Sequence, residues 1–189
     1  FVRRNVAEQE WPRVREYLSW VEAESGAPLP LLLSSDDEGG HMMNYPGVMS
    51  RWPNLMELGA VNDAYVAQSY GLNYGVELQA AGINMVLSPC VDVNGEPRNP
   101  IIGPRSLGSD PARVAALGLA AARGFLQANV VPVFKHFPGH GNVRIDSHAR
   151  VPVLEQSADQ LRREDLAPYA AGLRTRQWAQ RRTAGGGGR

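Results

Sequence analysis

The alternation of apolar and polar positions divides the chain into helix-period and strand-like stretches. Trp11, Val14, Leu18 and Val21 recur at helical spacing between Glu8 and Ser25, with charges between them and Gly26 placed to end the helix. Pro28-Leu29-Pro30 starts a new element. Leu31 to Ser35 is a short apolar run that ends in acidic residues and two glycines, the pattern of a strand that delivers side chains to a site. From His41 to Leu58 the chain is rich in Met, Pro, Gly and Trp without a stable period; it reads as an elaborate loop in which Met42, Met43 and Trp52 pack. A helix follows over Asn62 to Ala80, with Val61, Tyr65, Leu72 and Val76 as its apolar stripe. Ile83 to Leu87 is the second strand, and Asp92 to Arg105 is a polar loop made irregular by its prolines. Asp110 can cap a helix with Pro111 in its first turn and Val114, Leu117, Ala121 and Phe125 as its inward face. Val130 to Phe134 is the third strand, and Gln156 to Leu173 reads as a further helix.

Helices alternating with short apolar strands predict an α/β fold with parallel strands, of which the (β/α)8 barrel is one member. The 189 residues suffice for one domain with a substantial core, and a 43% hydrophobic fraction is that of an ordinary globule. Acidic and basic residues balance at 19 each, so there is no electrostatic footprint for nucleic acid or an anionic membrane. No apolar stretch reaches the length of a membrane span of about 18 residues. The single cysteine, Cys90, excludes an internal disulfide framework and lies in an apolar run as a buried small side chain. Residues 174–189 are arginine-rich and close on four glycines, a composition that cannot build a core. The domain is therefore expected over residues 1–173. The remainder reads as a disordered tail of the kind an altered reading frame produces, with a basic arm for an acidic partner as the alternative.

Chemistry concentrates in Lys135 to His148, KHFPGHGNVRIDSH, which holds three of the four histidines. Pro138, Gly139 and Gly141 forbid a helix here, so the segment is a loop at the end of a strand, where α/β proteins place catalysis. In Asp146-Ser147-His148 a carboxylate two residues from an imidazole can fix its tautomer and suit it to proton transfer. Alternatively, Asp146 is a turn residue and His148 is solvated. His136, His140, Asp146 and His148 are also zinc-ligand types, although the loop lacks helical i, i+4 geometry and their spacing fits no common template.

KHFPGHG followed by DSH resembles the signature of the bacterial β-N-acetylhexosaminidase branch of glycoside hydrolase family 3. Four further segments resemble that family in its own order: Asp36-Asp37-Glu38-Gly39-Gly40; Gly82-Ile83-Asn84; Ser88-Pro89-Cys90-Val91-Asp92-Val93-Asn94; and Asn99 to Ser106 with Gly108-Ser109-Asp110-Pro111. The chain departs from the family's G-G-x-V-x-R at Gly39-Gly40-His41-Met42-Met43, where His41 is read as a loop residue. The resemblance selects the barrel. It implies a partial (β/α)8 TIM barrel that lacks the first and last strands. It also implies a retaining glycosidase that cleaves terminal β-linked N-acetylglucosamine without cofactor or metal.

By the same resemblance, His148 is the acid/base, Asp146 orients it, and Asp36, Arg105, Lys135 and His136 bind the sugar. The substrates it implies are N-acetylglucosaminides, including peptidoglycan fragments; the compartment is left open between the bacterial cytoplasm, which is favoured, and secretion or the periplasm. The family's nucleophilic Asp lies well beyond its D-S-H loop. Nothing after His148 resembles that stretch, since Asp159 and Asp165 sit in a charged helical segment, so the expectation is little or no turnover. A sugar-binding protein without catalysis is the competing reading.

Overall fold

The computed structural model describes residues 10–26, 31–44, 49–145, 151–154 and 156–175. Each apolar run read as a strand supplies one: β1 (Ser34–Ser35), β2 (Met85–Val86) and β3 (Val131–Pro132) pair in parallel in the order β1-β2-β3. The paired segments are shorter than the apolar runs, yet the ladder continues past them. Leu87 N–H donates to Ser35 O at 2.8 Å, Val133 N–H donates to Val86 O at 2.9 Å, and Cys90 bridges Lys135 in parallel. At the other end the Asn84 side chain adds to the backbone bonds that its own N–H and Met85 N–H make to Leu33 O: its Oδ1 accepts from Leu33 N–H at 2.8 Å and its Nδ2 donates to Leu31 O at 2.6 Å. The register of β1 against β2 is thereby pinned before pairing begins.

Helix α1 (Trp11–Ser25) ends at Gly26 in the left-handed region, φ 58°, as its pattern expects, with Trp11 buried and Val14 against the core. Helix α2 (Leu55–Val61) begins inside the stretch read as loop. Two turns show too little period to be recognised, but Leu55 and Leu58 drop into the core and hold them. Asn62 closes α2 in the left-handed region. The Asp63 carboxylate then caps α3 (Ala64–Ala80) by accepting from Tyr65 and Val66 N–H.

Of the stripe expected on this helix, Tyr65 and Val76 face solvent at 78% and 52% exposed, Leu72 is half-buried, and Val61, 58% exposed, is the last residue of α2. The buried face is instead Ala67, Tyr70, Gly71, Tyr74, Gly75 and Leu78. Its small residues admit α4 (Pro111–Gln127) at backbone contact. A Cβ on Gly71 would lie 2.0 Å from Ala121 O, and one on Gly124 would lie 2.1 Å from Gln68 O. The buried face has helical spacing of its own, and combines the bulk of Tyr70, Tyr74 and Leu78 with the glycines that let α4 approach. On α4 the expected face is correct, with Val114, Leu117, Ala121 and Phe125 all buried behind the Asp110 cap. Trp52 packs as read, stacked on Tyr74 at 5.2 Å and edge-on to Tyr70 at 5.7 Å.

The last helical stretch is two helices, α5 (Ala158–Arg163) and α6 (Ala167–Arg174). Pro168 in the first turn of α6 supplies no N–H to continue the previous turns, and the ladder breaks before it. Asp165 in that break is buried, contrary to its reading as a charged helix residue, and both its oxygens accept from Asn142 Nδ2 at 3.0 Å. Burial pushes its carboxyl above the usual value against the lowering pull of that amide. Residues 176–189, the expected tail apart from its first two positions, lie outside the described residues. The α/β class with a parallel sheet is as expected, and no helix among the described residues is long and apolar enough to cross a membrane.

If α4 seats in the groove cut by the α3 glycines, Gly71→Ala and Gly124→Ala should each cost about 1–3 kcal/mol in urea unfolding, as overpacked sites do. Val76→Ala, on the face the periodicity favoured, should stay within about 0.5 kcal/mol. The reverse ranking would return the α3 core face to the apolar stripe.

Candidate active site

The acidic end of β1 alternates as extended backbone must. Asp37 turns into the core, where its carboxylate accepts from Asn44 N–H at 2.8 Å, from the Tyr74 hydroxyl at 3.2 Å and from the Ser35 hydroxyl. Burial holds that carboxyl above its usual value in spite of these donors. Asp36 and Glu38 turn the other way, toward the ends of β2 and β3.

Glu38 is the buried centre of the cluster. Its two oxygens accept from Arg105 Nε at 2.8 Å and Nη2 at 2.6 Å, and Oε1 also meets Lys135 Nζ at 2.5 Å. Lys135 bridges on to Asp36, so the ammonium joins two carboxylates of one strand. Burial pushes the Glu38 carboxyl up, but the Arg105 hydrogen bonds and the Lys135 charge outweigh it and hold it below its usual 4.5. Burial likewise works against the Arg105 cation, and Glu38 reverses that, raising the guanidinium above its usual value.

Asp92, six residues past β2, organises the histidine loop from below. It accepts from His136 Nδ1 at 2.6 Å, from His136 N–H at 3.2 Å, from His140 N–H at 2.6 Å and from the Cys90 thiol at 3.2 Å. Burial raises this carboxyl too, and the donors, His136 foremost, hold it below its usual 3.8. On the far side of the ring, His136 Nε2 lies 3.1 Å from Arg105 Nη2. His140 is depressed by burial first, with His136 and Arg105 acting in the same direction.

The structure thus gathers all four residues that the resemblance assigns to sugar binding: Asp36, Arg105, Lys135 and His136. Asp36 and His136 keep 33% and 35% of their side chains accessible, while Glu38 at 1% and Asp92 at 0% support them from beneath. Asp146 and His148 lie outside the described residues. Glu38 and Asp92 were not singled out in sequence, although both stand in quoted segments. Glu38 could have been found from its i, i+2 relation to Asp36. Asp92 could have been found as a carboxylate inside an otherwise apolar run, which must have partners. His41 is an exposed loop residue, as read, with Nδ1 2.9 Å from Asn54 Oδ1.

For a metal, the compact set among the described residues is Cys90, Asp92 and His136, a different set from the four zinc-ligand candidates of the loop. The Cys90 thiol donates to Asp92 Oδ2 at 3.2 Å. The Arg105 cation beside His136 opposes a second positive charge there. Hydrogen bonds from Cys90 and His136 to Asp92 knit these three side chains together.

Polar side chains collected at the C-terminal ends of successive parallel strands mark the active face of a barrel enzyme. The chain belongs to glycosyl hydrolase family 3: the N-terminal domain of that family matches residues 3–179. Beta-hexosaminidase A of Pseudoalteromonas piscicida is 36% identical over 155 residues, which is 78% of this chain and 25% of that protein. A family 3 beta-N-acetylglucosaminidase from a Paenibacillus strain superposes with a TM-score of 0.84 at 40% identity, covering 90% of this chain and 32% of that one. NagZ from Neisseria gonorrhoeae, solved in complex with N-trifluoroacetyl-D-glucosamine, gives 0.82 at 29% identity over 90% of this chain and 51% of that one. The chain therefore spans between a quarter and about half of the length of these relatives. Its three βα units form an arc of their barrel-like domain.

Removing the shared carboxylate should be costly. Glu38→Gln leaves Arg105 and Lys135 without their common partner and is expected to lower stability by about 3–5 kcal/mol in denaturant titration. Because the folded Glu38 carboxyl is depressed, its contribution is complete above its ordinary 4.5 and is lost as the pH falls through the depressed value. The gap between wild type and variant should therefore be widest near neutrality and close in acid. A gap independent of pH would remove Glu38 as the ionised partner.

Proposed function

We propose that this chain is the sugar-binding part of a retaining β-N-acetylhexosaminidase that acts on terminal β-linked N-acetylglucosamine, in substrates such as peptidoglycan fragments. The observation that carries this reading is the meeting of Asp36, Arg105, Lys135 and His136 at the ends of three neighbouring strands. A carboxylate can accept two adjacent sugar hydroxyls, and Lys and Arg can donate to hydroxyl or amide oxygens. Asp36 and Glu38 are paired with Lys135 and Arg105, so these four carry no net charge toward an uncharged sugar. The names of the relatives and the N-acyl glucosamine held by the Neisseria structure support an N-acetylated one.

In this reading His148 protonates the leaving oxygen and later activates water, with Asp146 orienting its ring. Retention also requires a carboxylate nucleophile. Asp159 is exposed and paired with Arg162, and Asp165 is committed to Asn142, so neither is placed for attack. The chain by itself is therefore expected to bind sugar with turnover at background.

Titration with N-acetylglucosamine, followed by amide NMR, should show saturable shifts that Asp36→Ala and Lys135→Ala each weaken about tenfold or more. A folded wild type that gives no response, or variants that bind equally well, would end this proposal. A chromogenic N-acetyl-β-glucosaminide, incubated beside a His148→Ala control, should give background rates in both; turnover above background in wild type would overturn that expectation and put the acid/base role to the test. Turnover lost in the variant would support His148, and equal rates above background would take it out of the mechanism.

A further inference from the structure

Arg105 has five N–H bonds to place. Nε and one Nη2 hydrogen go to Glu38, the second Nη2 hydrogen faces His136 Nε2 at 3.1 Å, and one Nη1 hydrogen points to Ile101 O at 3.5 Å. One Nη1 hydrogen has no partner among the described residues. The contact with His136 is attractive only when Nε2 presents its lone pair, because an N–H there would set two donors against each other.

Asp92 decides this on the opposite side of the ring. A carboxylate offers only lone pairs, so at 2.6 Å from Nδ1 it requires the proton on that nitrogen. The carboxylate cannot turn away. Its Oδ1 is held by His140 N–H at 2.6 Å, while Oδ2 sits between His136 Nδ1 and the Cys90 thiol.

We propose that Asp92 is a positioning residue: by fixing His136 in its Nδ1–H form it makes Nε2 the acceptor that orients the Arg105 guanidinium, with one Nη1–H presented to a sugar oxygen. The last step rests on the sugar-binding reading above, whereas the link from Asp92 through His136 to Arg105 does not. Glu38 fixes the other edge of the same guanidinium. A carboxamide at position 92 reverses the arrangement in a defined way. Its oxygen stays with the His140 and His136 backbone donors, which places its NH2 where Oδ2 now faces Nδ1. The imidazole proton then moves to Nε2, directly against Arg105.

The test uses the full chain labelled with 15N-histidine, read by long-range 1H–15N correlation at about pH 8, where an ordinary imidazole is neutral. His136→Gln identifies the signal by its loss. Wild type is expected to show the Nδ1–H pattern for His136. Asp92→Asn is expected to show the Nε2–H pattern, with N-acetylglucosamine binding weakened about tenfold while the backbone spectrum is retained. An Nε2–H pattern in wild type overturns the proposal and needs no variant, so the inference stays testable even if Asp92→Asn fails to fold. A reversed tautomer with unchanged sugar affinity overturns the orienting role. Wild type with the Nδ1–H pattern but no response to N-acetylglucosamine overturns the sugar-binding reading and the final step with it, while the Asp92–His136–Arg105 link stands.

Discussion

A carboxylate shut away from water with a guanidinium and an ammonium on it is the contact from which the other features follow. Glu38 comes from the end of β1, Arg105 from the loop after β2, and Lys135 from the end of β3, so one side chain ties three strand ends together. Taking such ions out of water costs several kcal/mol each unless the geometry repays it. Here both carboxylate oxygens are occupied by a forked donor and one of them is shared with the lysine. The cluster is satisfied only when all three strand ends are in place. Folding of this region and assembly of its site are accordingly one event.

The same logic is repeated in the layer beneath. Asp92 gathers backbone and side-chain donors from the histidine loop, and Asp165 holds that loop from the α5–α6 break through Asn142. Asp37 ties the Asn44 loop to the aromatic cluster of Tyr70, Tyr74 and Phe125. In each case one buried carboxylate anchors segments distant in the chain. Asp36 and His136 keep about a third of their side chains accessible above these buried acids.

Legibility of the sequence followed the kind of force involved. Strand positions, the α4 face and the helix stop at Gly26 were readable because they depend on apolar periodicity and local backbone preference. The inward face of α3 was not, because two apolar stripes compete on that helix and the choice between them falls to the close approach at Gly71 and Gly75 beside Tyr70, Tyr74 and Leu78. The α5–α6 break was hidden in a stretch of good helix formers, where one proline and a buried acid decide. Asp36, Arg105, Lys135 and His136 came from resemblance and were found together. Glu38 and Asp92 were overlooked because sequence displays the type of a side chain and not its depth. The Asp146–His148 pair lies outside the described residues, so its role stands on resemblance alone.

Asn84 has a consequence for how this region can change. By bracketing Leu31 and Leu33 it fixes which residues of the following acidic run look outward, and those residues alternate one by one. Shortening the run by a single position would send Asp36 and Glu38 toward the aromatic rings and bring Asp37 to the mouth, leaving Arg105 and Lys135 facing each other. Exchanges of one residue for another are gentler by comparison. The spacing between an asparagine on one strand and two acids on its neighbour is thus under tighter constraint than the identity of the apolar residues between them.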